Sequence, residues 1–465
     1  MKNLFTLLTV IVFLGTIQAQ TTFEKTYGGV QSDVATAAQQ TSDGGYVIAG
    51  NTSSFGTGVY VVKTDANGNE EWSNTYTNMH GTMQPGVCQI NDDNLIAIGD
   101  DDNGYSIITK IDINNGDTIW TLTDSSIAYV GGNFRMSVAP TDDGGFVTTS
   151  FDWDISPMAY ISRFKSDGTH FWTKEYSPTG SEMTIGNSVT ETSDGGFFVV
   201  AVSAQGGSGD IYCIRTDQNG DTLWTRVFDS GSDDLGWCGK ETPDGGFAIV
   251  GGKTRVGATG YDFWLIRTDE NGDTLWTKSY GGDEPDEAWY VQVSDDGGYL
   301  ISGETQSFGA GMTDVWLVKT DENGDTLWTK TFGGVQDESG RYCGKTTDGG
   351  YVVAGLTKSY GAGDNDFYLL KTDSVGFVTV EDVSIDIKDL NIHPNPMNYK
   401  TTISFENDNN SEYQLRITDL TGKTVQVISN IRDNKVDIYK NDLHSGIYII
   451  ELSGATIYRS RLIVE

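Results

Sequence analysis

The sequence predicts an all-β protein, a seven-bladed β-propeller followed by a small Ig-like β-sandwich. A K/R-x-x-x-x-G-x-x-x-W pattern recurs at intervals of 48 and then 52 residues, a period typical of stacked β-units. An Asp-Gly-Gly turn recurs once in almost every copy. The 465 residues include 58 glycines and are 11% aromatic, a composition that favours turn-rich β-structure.

Seven copies of the repeat can be counted from these two signals. In six copies a tryptophan follows a glycine by four residues: Trp72, Trp120, Trp172, Trp224, Trp276 and Trp328. A seventh copy, from Lys371 to Gly376, ends in Val380 instead. The Asp-Gly-Gly turns begin at Asp43, Asp143, Asp194, Asp244, Asp296 and Asp348, and a degenerate Asp92-Asp93-Asn94 fills the remaining place.

The clearest copy predicts four short strands per repeat, which is the content of one propeller blade. The predicted strands are Thr274–Tyr280, Trp289–Val293, Tyr299–Ser302 and Asp314–Lys319. Asp-Gly and Asn-Gly between them are hairpin signals, because glycine accepts positive φ without steric cost.

The Asn-Gly turn also predicts a cross-strand pair. If Asn323 and Gly324 form a two-residue loop, Lys319 faces Trp328, and the same count pairs Lys63, Arg163, Arg215 and Arg267 with a tryptophan. The aliphatic stem would cover the indole, with a cation–π contribution of about 0.5–1 kcal/mol. Lys110 lies one residue further from Trp120, which predicts a bulge in that hairpin.

Ring closure is predicted from the N-terminus. Residues 23–29 match the pattern of residues 328–334, with Phe23 at the tryptophan position. This strand has no hairpin partner before it, and the seventh copy lacks its tryptophan strand. We therefore expect the N-terminal strand to complete blade 7.

The spacing of Asp217, Gly220 and Trp224 resembles the tryptophan-docking motif of quinoprotein-dehydrogenase-type propellers. In that family the motif locks neighbouring blades together. The resemblance implies blade locking here and no quinone chemistry, because no segment matches a site for the quinone and its metal.

The ends of the chain predict export. Residues 1–19 combine Lys2, an apolar run from Leu4 to Leu14 and Ile17-Gln18-Ala19 before Gln20, which predicts a cleaved signal peptide. Residues 20–381 are assigned to the propeller, 382–390 to a linker and 391–465 to the sandwich. No other stretch is long and apolar enough to span a membrane.

The charge is strongly negative. Of the net −35, residues 382–465 account for −3 and Lys2 for +1, so the propeller carries −33. Such a surface repels nucleic acid and anionic lipid. It suits solubility outside the cell, and divalent cations are the other interpretation of the acidity.

The four cysteines are predicted to be small buried apolar residues rather than disulfides. Cys88, Cys238 and Cys343 are counted to the same place in three repeats, and Cys213 falls at a core position. A Cys213–Cys238 bridge stays open as an alternative, since export permits disulfides.

The tail carries four short motifs in order: His393-Pro394-Asn395-Pro396, Asp419-Leu420-Thr421-Gly422-Lys423, Ser445-Gly446-Ile447-Tyr448 and Arg461-Leu462-Ile463-Val464. With them, the tail resembles the type A C-terminal sorting domain of type IX secretion in Bacteroidota. The resemblance implies outer-membrane translocation, removal of the tail by a sortase-like peptidase and attachment to a surface lipopolysaccharide. The motif residues it singles out are Pro394, Asn395, Pro396, Asp419, Gly422, Gly446 and Tyr448.

Catalytic and cofactor motifs are absent from the sequence. The turns Asp217–Asp221, Asp269–Asp273 and Asp321–Asp325 superficially resemble calcium loops, but they lack the bidentate glutamate. We therefore predict no cofactor and no catalytic residue, with calcium as the alternative.

One asymmetry could mark a ligand site. Counted back from the Asp-Gly-Gly aspartate, with one residue added for Pro243, the innermost strand carries in chain order Ala37, Val87, Ser137, Ser188, Trp237, Tyr290 and Tyr342. Ordinary packing between blades is one interpretation of the three aromatic residues. The other is an aromatic patch at the channel mouth that stacks on a sugar or a peptide.

The sequence therefore predicts an exported propeller, at the outer-membrane surface or released, that binds an extracellular glycan or protein. A secreted polysaccharide hydrolase or lyase is the first alternative, and a structural surface-layer component is the second. Two carboxylates with raised pKa values in a central pocket would favour the hydrolase.

Overall fold

The structure is a computed structural model. It describes residues 20–79, 84–101, 104–124, 137–151, 158–255, 260–378, 388–407, 411, 413–419, 424–440, 443–453 and 458–465. The chain divides into two compact units, Met1–Thr379 and Val380–Glu465. The predicted signal peptide, Val380, Gly422 and linker residues 382–387 lie outside the described residues.

The first unit consists of seven four-stranded antiparallel sheets, as predicted. The inner strands are β2 Asp33–Gln40, β6 Gly86–Asn91, β10 Val138–Pro140, β14 Met183–Glu191, β18 Asp234–Glu241, β22 Asp286–Val293 and β26 Glu338–Lys345. The second strands are β3 Tyr46–Thr52, β7 Asn94–Asp100, β11 Phe146–Phe151, β15 Phe197–Gln205, β19 Phe247–Thr254, β23 Tyr299–Thr305 and β27 Tyr351–Thr357.

The outer half of each blade has the same regularity. The third strands are β4 Gly58–Thr64, β8 Ser106–Asp112, β12 Ala159–Phe164, β16 Ser208–Thr216, β20 Tyr261–Thr268, β24 Asp314–Thr320 and β28 Asp366–Thr372. The outer strands are β5 Glu70–Tyr76, β9 Thr118–Asp124, β13 His170–Tyr176, β17 Thr222–Phe228, β21 Thr274–Tyr280, β25 Thr326–Phe332 and, for blade 7, β1 Phe23–Tyr27. Each inner strand contacts the next around the ring, and β26 contacts β2.

The predicted ring closure is confirmed. Strand β1 pairs antiparallel with β28, so that Phe23 lies opposite Lys371 and Tyr27 opposite Phe367. Blade 7 therefore joins the two ends of the propeller through backbone hydrogen bonds rather than through a loop.

The cation–tryptophan pairs are also confirmed, although the predicted turn is wrong. Lys319 lies opposite Trp328, but Thr320 pairs with Thr326, with a bulge between the two pairs. The Asp321 N–H donates to the Asp325 carbonyl, and Gly324 at φ +76° occupies the left-handed region. The loop thus has three residues, and the bulge restores the offset that a two-residue loop would give. Lys110 has the same bulge as the other copies, and its extra residue lies in the turn, which the Asp112 N–H closes on the Asp117 carbonyl.

The lysine and arginine side chains of these pairs form salt bridges with aspartate rather than cation–π contacts with the facing indole. The Lys63 ammonium lies 2.7 Å from the carboxylate of Asp43 in the Asp-Gly-Gly turn. The same bridge joins Arg163 to Asp143, Arg215 to Asp194, Arg267 to Asp244, Lys319 to Asp296 and Lys371 to Asp348. Each cation is almost fully buried, so these bridges hold the two hairpins of a blade together.

Each tryptophan docks on the turn of the next blade, as the resemblance implied. A Cβ on Gly220 would lie 2.9 Å from the Trp172 ring, and a Cβ on Gly272 would lie 2.8 Å from that of Trp224. Phe23 takes this position against Gly68, at 2.6 Å. Only glycine allows this approach, so the docking explains the fixed Gly-x-x-x-Trp spacing.

The cysteines are buried and free, as predicted. The register changes one detail, since Cys238 pairs with Val250 whereas Cys343 pairs with Val353. Cys238 therefore lies one residue earlier in its strand than the sequence count placed it.

The second unit contains two sheets around one core. One sheet has the order β29 Lys388–Asp389, β36 Tyr458–Val464, β35 Gly446–Ser453, β32 Tyr413–Asp419, β33 Thr424–Ile431. The other has β30 Asn391–His393, β31 Lys400–Ser404, β34 Lys435–Tyr439. Ile403 and Ile438 of the small sheet share the core with Leu415 and Ile450 of the large one. The sequence predicts tail strands over residues 402–405, 414–418, 424–428, 447–452 and 458–464; all five are present, and β29, β30 and β34 are additional.

Candidate functional site

A cavity of about 410 Å³ lies on the propeller axis, lined by residues of all seven blades. Blades 1 to 4 contribute small or polar side chains from their inner strands, among them Ala37, Ser137 and Ser188. Blades 5 to 7 contribute Lys240, Tyr290, Gln292 and Tyr342. Because the bulky residues lie on one side, the open space is displaced toward blades 1 to 4.

The register corrects the predicted aromatic set. Tyr290 and Tyr342 occupy the same position in their inner strands, since each pairs with the residue just before the matching glycine of its second strand, Ser302 and Ala354 respectively. In blade 5 the equivalent residue is Cys238 rather than Trp237. The turn hydrogen bonds of Thr242 to Gly245 and Gly246 match those of the other blades. Pro243 therefore adds no residue to the repeat.

Tyr290 and Tyr342 meet across the seam between blades 6 and 7. Their ring centroids lie 4.7 Å apart, and both side chains also pack against the cores between blades. Burial raises the pKa of the Tyr342 hydroxyl well above its usual range, and the nearby Lys240 ammonium opposes the rise. The two tyrosines therefore both pack between blades and line the cavity.

Trp237 belongs to a different layer of the channel. A β-bulge places one extra residue in the inner strand of five blades: Thr36, Asn187, Trp237, Trp289 and Arg341. The rings of Trp237 and Trp289 lie 4.6 Å apart, and the Arg341 guanidinium lies 4.6 Å above the Trp289 ring. Trp237 is 6% exposed, so this layer offers little aromatic surface to a ligand.

A carboxylate pair adjoins the bulge layer. Glu287 and Glu304 are cross-strand neighbours in blade 6. Burial and the Glu304 carboxylate raise the pKa of Glu287 to about 7, while Arg341 and the Trp237 indole oppose the rise. A glutamate that holds its proton near neutrality beside a second carboxylate is the arrangement of an acid–base pair.

The carboxylate of the cavity wall has a structural partner. Glu191 Oε2 accepts a hydrogen bond from the backbone N–H of Asp142 in the preceding blade, at 2.6 Å. The equivalent Glu241 accepts the N–H of Ser193 in the same way, at 2.7 Å. The repetition of this contact by Glu241, which does not itself line the cavity, identifies it as a tie between blades.

The predicted calcium-like turns use their carboxylates internally. Asp217 Oδ1 accepts the backbone N–H groups of Asn219 and Asp221 at 2.8 and 2.9 Å, which caps the hairpin.

A different carboxylate group lies at the junction of blades 4 and 5. The carboxylates of Asp210, Asp229 and Asp234 approach within 4.8 Å of one another. Burial raises the pKa of Asp234, but its oxygens accept hydrogen bonds from the N–H and hydroxyl of Ser230.

Sequence reasoning missed Lys240, Glu287, Glu304 and Arg341. A signal for Lys240 was present, because the register places Gln39, Gln89 and Gln292 at the same inner-strand position. A cation thus replaces an amide in one blade. No such signal exists for Glu287 and Arg341, whose proximity depends on the bulge.

Two tail motifs of the predicted set contact each other. Asn395 Nδ2 donates to the Arg461 carbonyl at 2.7 Å, and the Ile463 N–H donates to Asn395 Oδ1 at 2.8 Å. Asp419 lies opposite Tyr448 in the large sheet, and the Tyr448 hydroxyl donates to the His444 carbonyl. Pro394 and Pro396 flank Asn395, and Gly446 begins strand β35.

The tail is recognised independently of these contacts. Residues 391–465 match the family described as secretion system C-terminal sorting domain. The chain therefore combines a propeller with a C-terminal sorting domain. This tail implies interaction with secretion machinery and export to the cell surface or beyond. Within the described residues, no helix has the length and apolar character needed to cross a membrane.

The propeller resembles solved structures in fold. A protein of unknown function from Bacteroides caccae has 15% identity and a TM-score of 0.42, over 62% of this chain and 93% of that one. One from Dyadobacter fermentans has 10% identity and a TM-score of 0.45, over 75% and 98%. An α-L-arabinanase of Penicillium chrysogenum complexed with arabinobiose has 11% identity and a TM-score of 0.44, over 62% and 92%. No curated protein matches the chain in sequence.

Proposed function

We propose that the propeller is an extracellular binding module that takes part of a glycan or protein into its axial cavity. The observation that carries this proposal is the open cavity of about 410 Å³, with Tyr290 and Tyr342 on one side. Its wall supplies hydroxyl and amide groups, such as Ser188, Thr190 and Gln292. A pocket with tyrosine rings and convergent hydrogen-bonding groups suits recognition of a hydroxyl-rich ligand.

A binding experiment on the exported protein tests the proposal. The mature chain is applied to an array of extracellular polysaccharides and proteins. A ligand found there is then titrated against Tyr290→Ala and Tyr342→Ala, with the exposed Tyr360→Ala as the matched control. Loss of at least ten-fold in affinity is expected for the cavity variants alone. Undiminished binding by both folded variants would exclude the cavity, and the absence of any ligand would exclude the binding function.

Hydrolysis of a polysaccharide is the second candidate, favoured by Glu287 and Glu304. The raised pKa of Glu287, about 7, suits a general acid, and Glu304 would act as base or nucleophile. Turnover of array polysaccharides by the wild-type chain, with Glu287→Gln and Glu304→Gln as variants, tests this candidate. It fails if no polymer is cleaved, or if cleavage persists at the wild-type rate in both variants.

We also propose that residues 1–19 are removed on export, that 382–390 form a linker whose end, Lys388–Asp389, joins the large sheet of the tail as β29, and that a sortase-like peptidase of the type IX pathway cleaves the tail. The sorting-domain match to residues 391–465 supports the last step. Mass spectrometry of the surface-bound and released protein tests it. A mature protein that begins at Gln20 and lacks residues 391–465 is expected, and a retained tail would contradict the proposal.

A further inference from the structure

Lys240 is the single cation among the described residues that line the axial cavity. Elsewhere in the blades, the regularly repeated Lys and Arg side chains are neutralised. Lys63, for example, lies 2.7 Å from Asp43, and Arg215 lies 2.6 Å from Asp194. Lys240 forms no such pair with the carboxylates of the described chain. Instead, its side chain lies over an aromatic ring, with the ammonium 5.2 Å from the centroid of Tyr290.

The two cavity tyrosines lie close to this cation. The centroid of the Tyr342 ring lies 4.7 Å from that of Tyr290, with the rings tilted by 55°, and the Lys240 charge acts on the Tyr342 hydroxyl. An ammonium and two phenol hydroxyls at one wall supply three donor groups, one of them positively charged. Such a set is complementary to a carboxylate, because hydrogen bonds to an ionised acceptor are about twice as strong as neutral ones.

Two acidic residues, Asp142 and Glu191, also line the cavity. Among the described residues, neither forms a salt bridge with Lys240. Glu191 accepts the Asp142 N–H at 2.6 Å, as part of the tie between blades 3 and 4. The amide at the corresponding place in blade 6, Gln292, donates to the Val293 carbonyl of its own strand. We therefore expect the counter-charge for Lys240 to come from solvent ions or from a ligand.

We propose that Lys240, Tyr290 and Tyr342 form a subsite for the carboxylate of an acidic sugar carried by an otherwise uncharged polysaccharide. This inference rests on the binding function proposed above. The charge of −33 on residues 20–381 repels a densely charged polyanion, whereas an isolated carboxylate on a neutral chain meets little of that repulsion. At physiological ionic strength, charges beyond about 8 Å are largely screened, so the charged groups next to the ligand act on it and the distant carboxylates of the propeller do not.

Matched oligosaccharides that differ by one carboxylate test the subsite. The probes are a xylo-oligosaccharide with one glucuronate branch and the same oligosaccharide without it, together with other acidic and neutral pairs on an array. The mature full chain is expected to bind the acidic member about ten-fold more tightly, the factor that corresponds to one charge-assisted hydrogen bond. Lys240→Met should abolish this preference, whereas Lys240→Arg should retain it.

A second lysine serves as the control. Lys253 also lies over an aromatic ring, at 5.4 Å from Trp264, but it does not line the cavity, so Lys253→Met should behave as wild type. Equal binding of both members of every pair, or an acidic preference that survives in Lys240→Met, overturns the subsite while the binding function stands. Binding of no probe and no array polymer or protein overturns the binding function and the subsite together.

Discussion

The hydroxyl of Tyr342 lies directly over the backbone of Gly344, where a Cβ would come within 2.5 Å of that oxygen. Glycine at residue 344 therefore fixes the path of the tyrosine side chain across the channel wall. The same side chain reaches the ring of Tyr290 in the neighbouring blade. One glycine thus positions the aromatic pair on which the proposed site depends.

Gly344→Ala should displace Tyr342 and weaken ligand binding. The new Cβ would meet the hydroxyl and ring of Tyr342, which packs against the core between blades, so we expect a loss of stability of about 1–3 kcal/mol. A crystal structure of the variant would show the tyrosine ring moved. The wild-type geometry, with the ring centroids of Tyr290 and Tyr342 at 4.7 Å, is the reference. An unmoved ring with full affinity would contradict the prediction.

Phe23 should contribute more to propeller stability than its place near the chain end suggests. Its ring is 2% exposed and lies edge-on to Tyr46 at 5.8 Å. Phe23→Ala should lower the free energy of unfolding by about 3–5 kcal/mol, through lost burial and the cavity left behind. Urea unfolding measures the change.

Phe23→Trp is the matched variant, because tryptophan occupies this place in six other copies. It should unfold within about 1 kcal/mol of the wild type, since the docking geometry already accommodates an indole. If alanine is tolerated as well as tryptophan, strand β1 does not close the ring through this contact.

The fold could be predicted because its signals are local. The Asp-Gly-Gly and Gly-x-x-x-Trp spacings each belong to one hairpin and one docking contact. The wrongly predicted turn type did not change the predicted cross-strand pair, because the bulge beside Lys319 restores the offset to Trp328. Closure was predictable for the same reason, since residues 23–29 match the pattern of residues 328–334.

The site could be predicted only in part. Tyr290 and Tyr342 break the repeat and could be found by counting, but the count misplaced Trp237 by one residue. The bulge residues are as unlike as Thr36, Trp237 and Arg341, so no residue type marks the bulge. Arg341 and Glu287 belong to different blades and come close to each other because of that bulge. The period of the repeat carries no information about this proximity.

The docking of tryptophan on glycine can be separated from backbone strain with two alanine variants. Gly220 and Gly195 have φ of +77° and +80°, so alanine costs about 1–2 kcal/mol of backbone strain at either place. A Cβ on Gly220 would also meet the Trp172 ring at 2.9 Å, whereas a Cβ on Gly195 has nothing within 4 Å. Gly220→Ala should be the more destabilising by about 1–3 kcal/mol in urea unfolding. Equal losses would show that docking contributes nothing.

Asn395 should be required for export. Its side chain joins the Pro-Asn-Pro segment to the last strand through the Arg461 carbonyl and the Ile463 N–H. Asn395→Ala loses both hydrogen bonds, at about 1 kcal/mol each, and should lower the amount of protein at the cell surface several-fold. The exposed Asn391→Ala is the control, and immunoblots of cell fractions measure the effect. Normal surface levels of Asn395→Ala would contradict the prediction.

Glu287 should make the propeller less stable as the pH rises. Burial beside Glu304 raises its folded-state pKa to about 7 from an ordinary 4.5, so the folded state holds the proton more tightly than the unfolded state. Its contribution to stability is therefore complete below pH 4.5 and is lost as the pH rises to 7. Glu287→Gln carries no charge at any pH. It should match the wild type near pH 4.5 and exceed it at pH 8 by roughly 1–3 kcal/mol, since one pKa unit corresponds to about 1.4 kcal/mol. Urea unfolding at the two pH values measures this difference.

Glu284→Gln, an exposed change in the loop before the same strand, should leave the pH dependence as it is. A wild type and a Glu287→Gln variant with parallel pH profiles would mean that Glu287 is ionised in the folded protein.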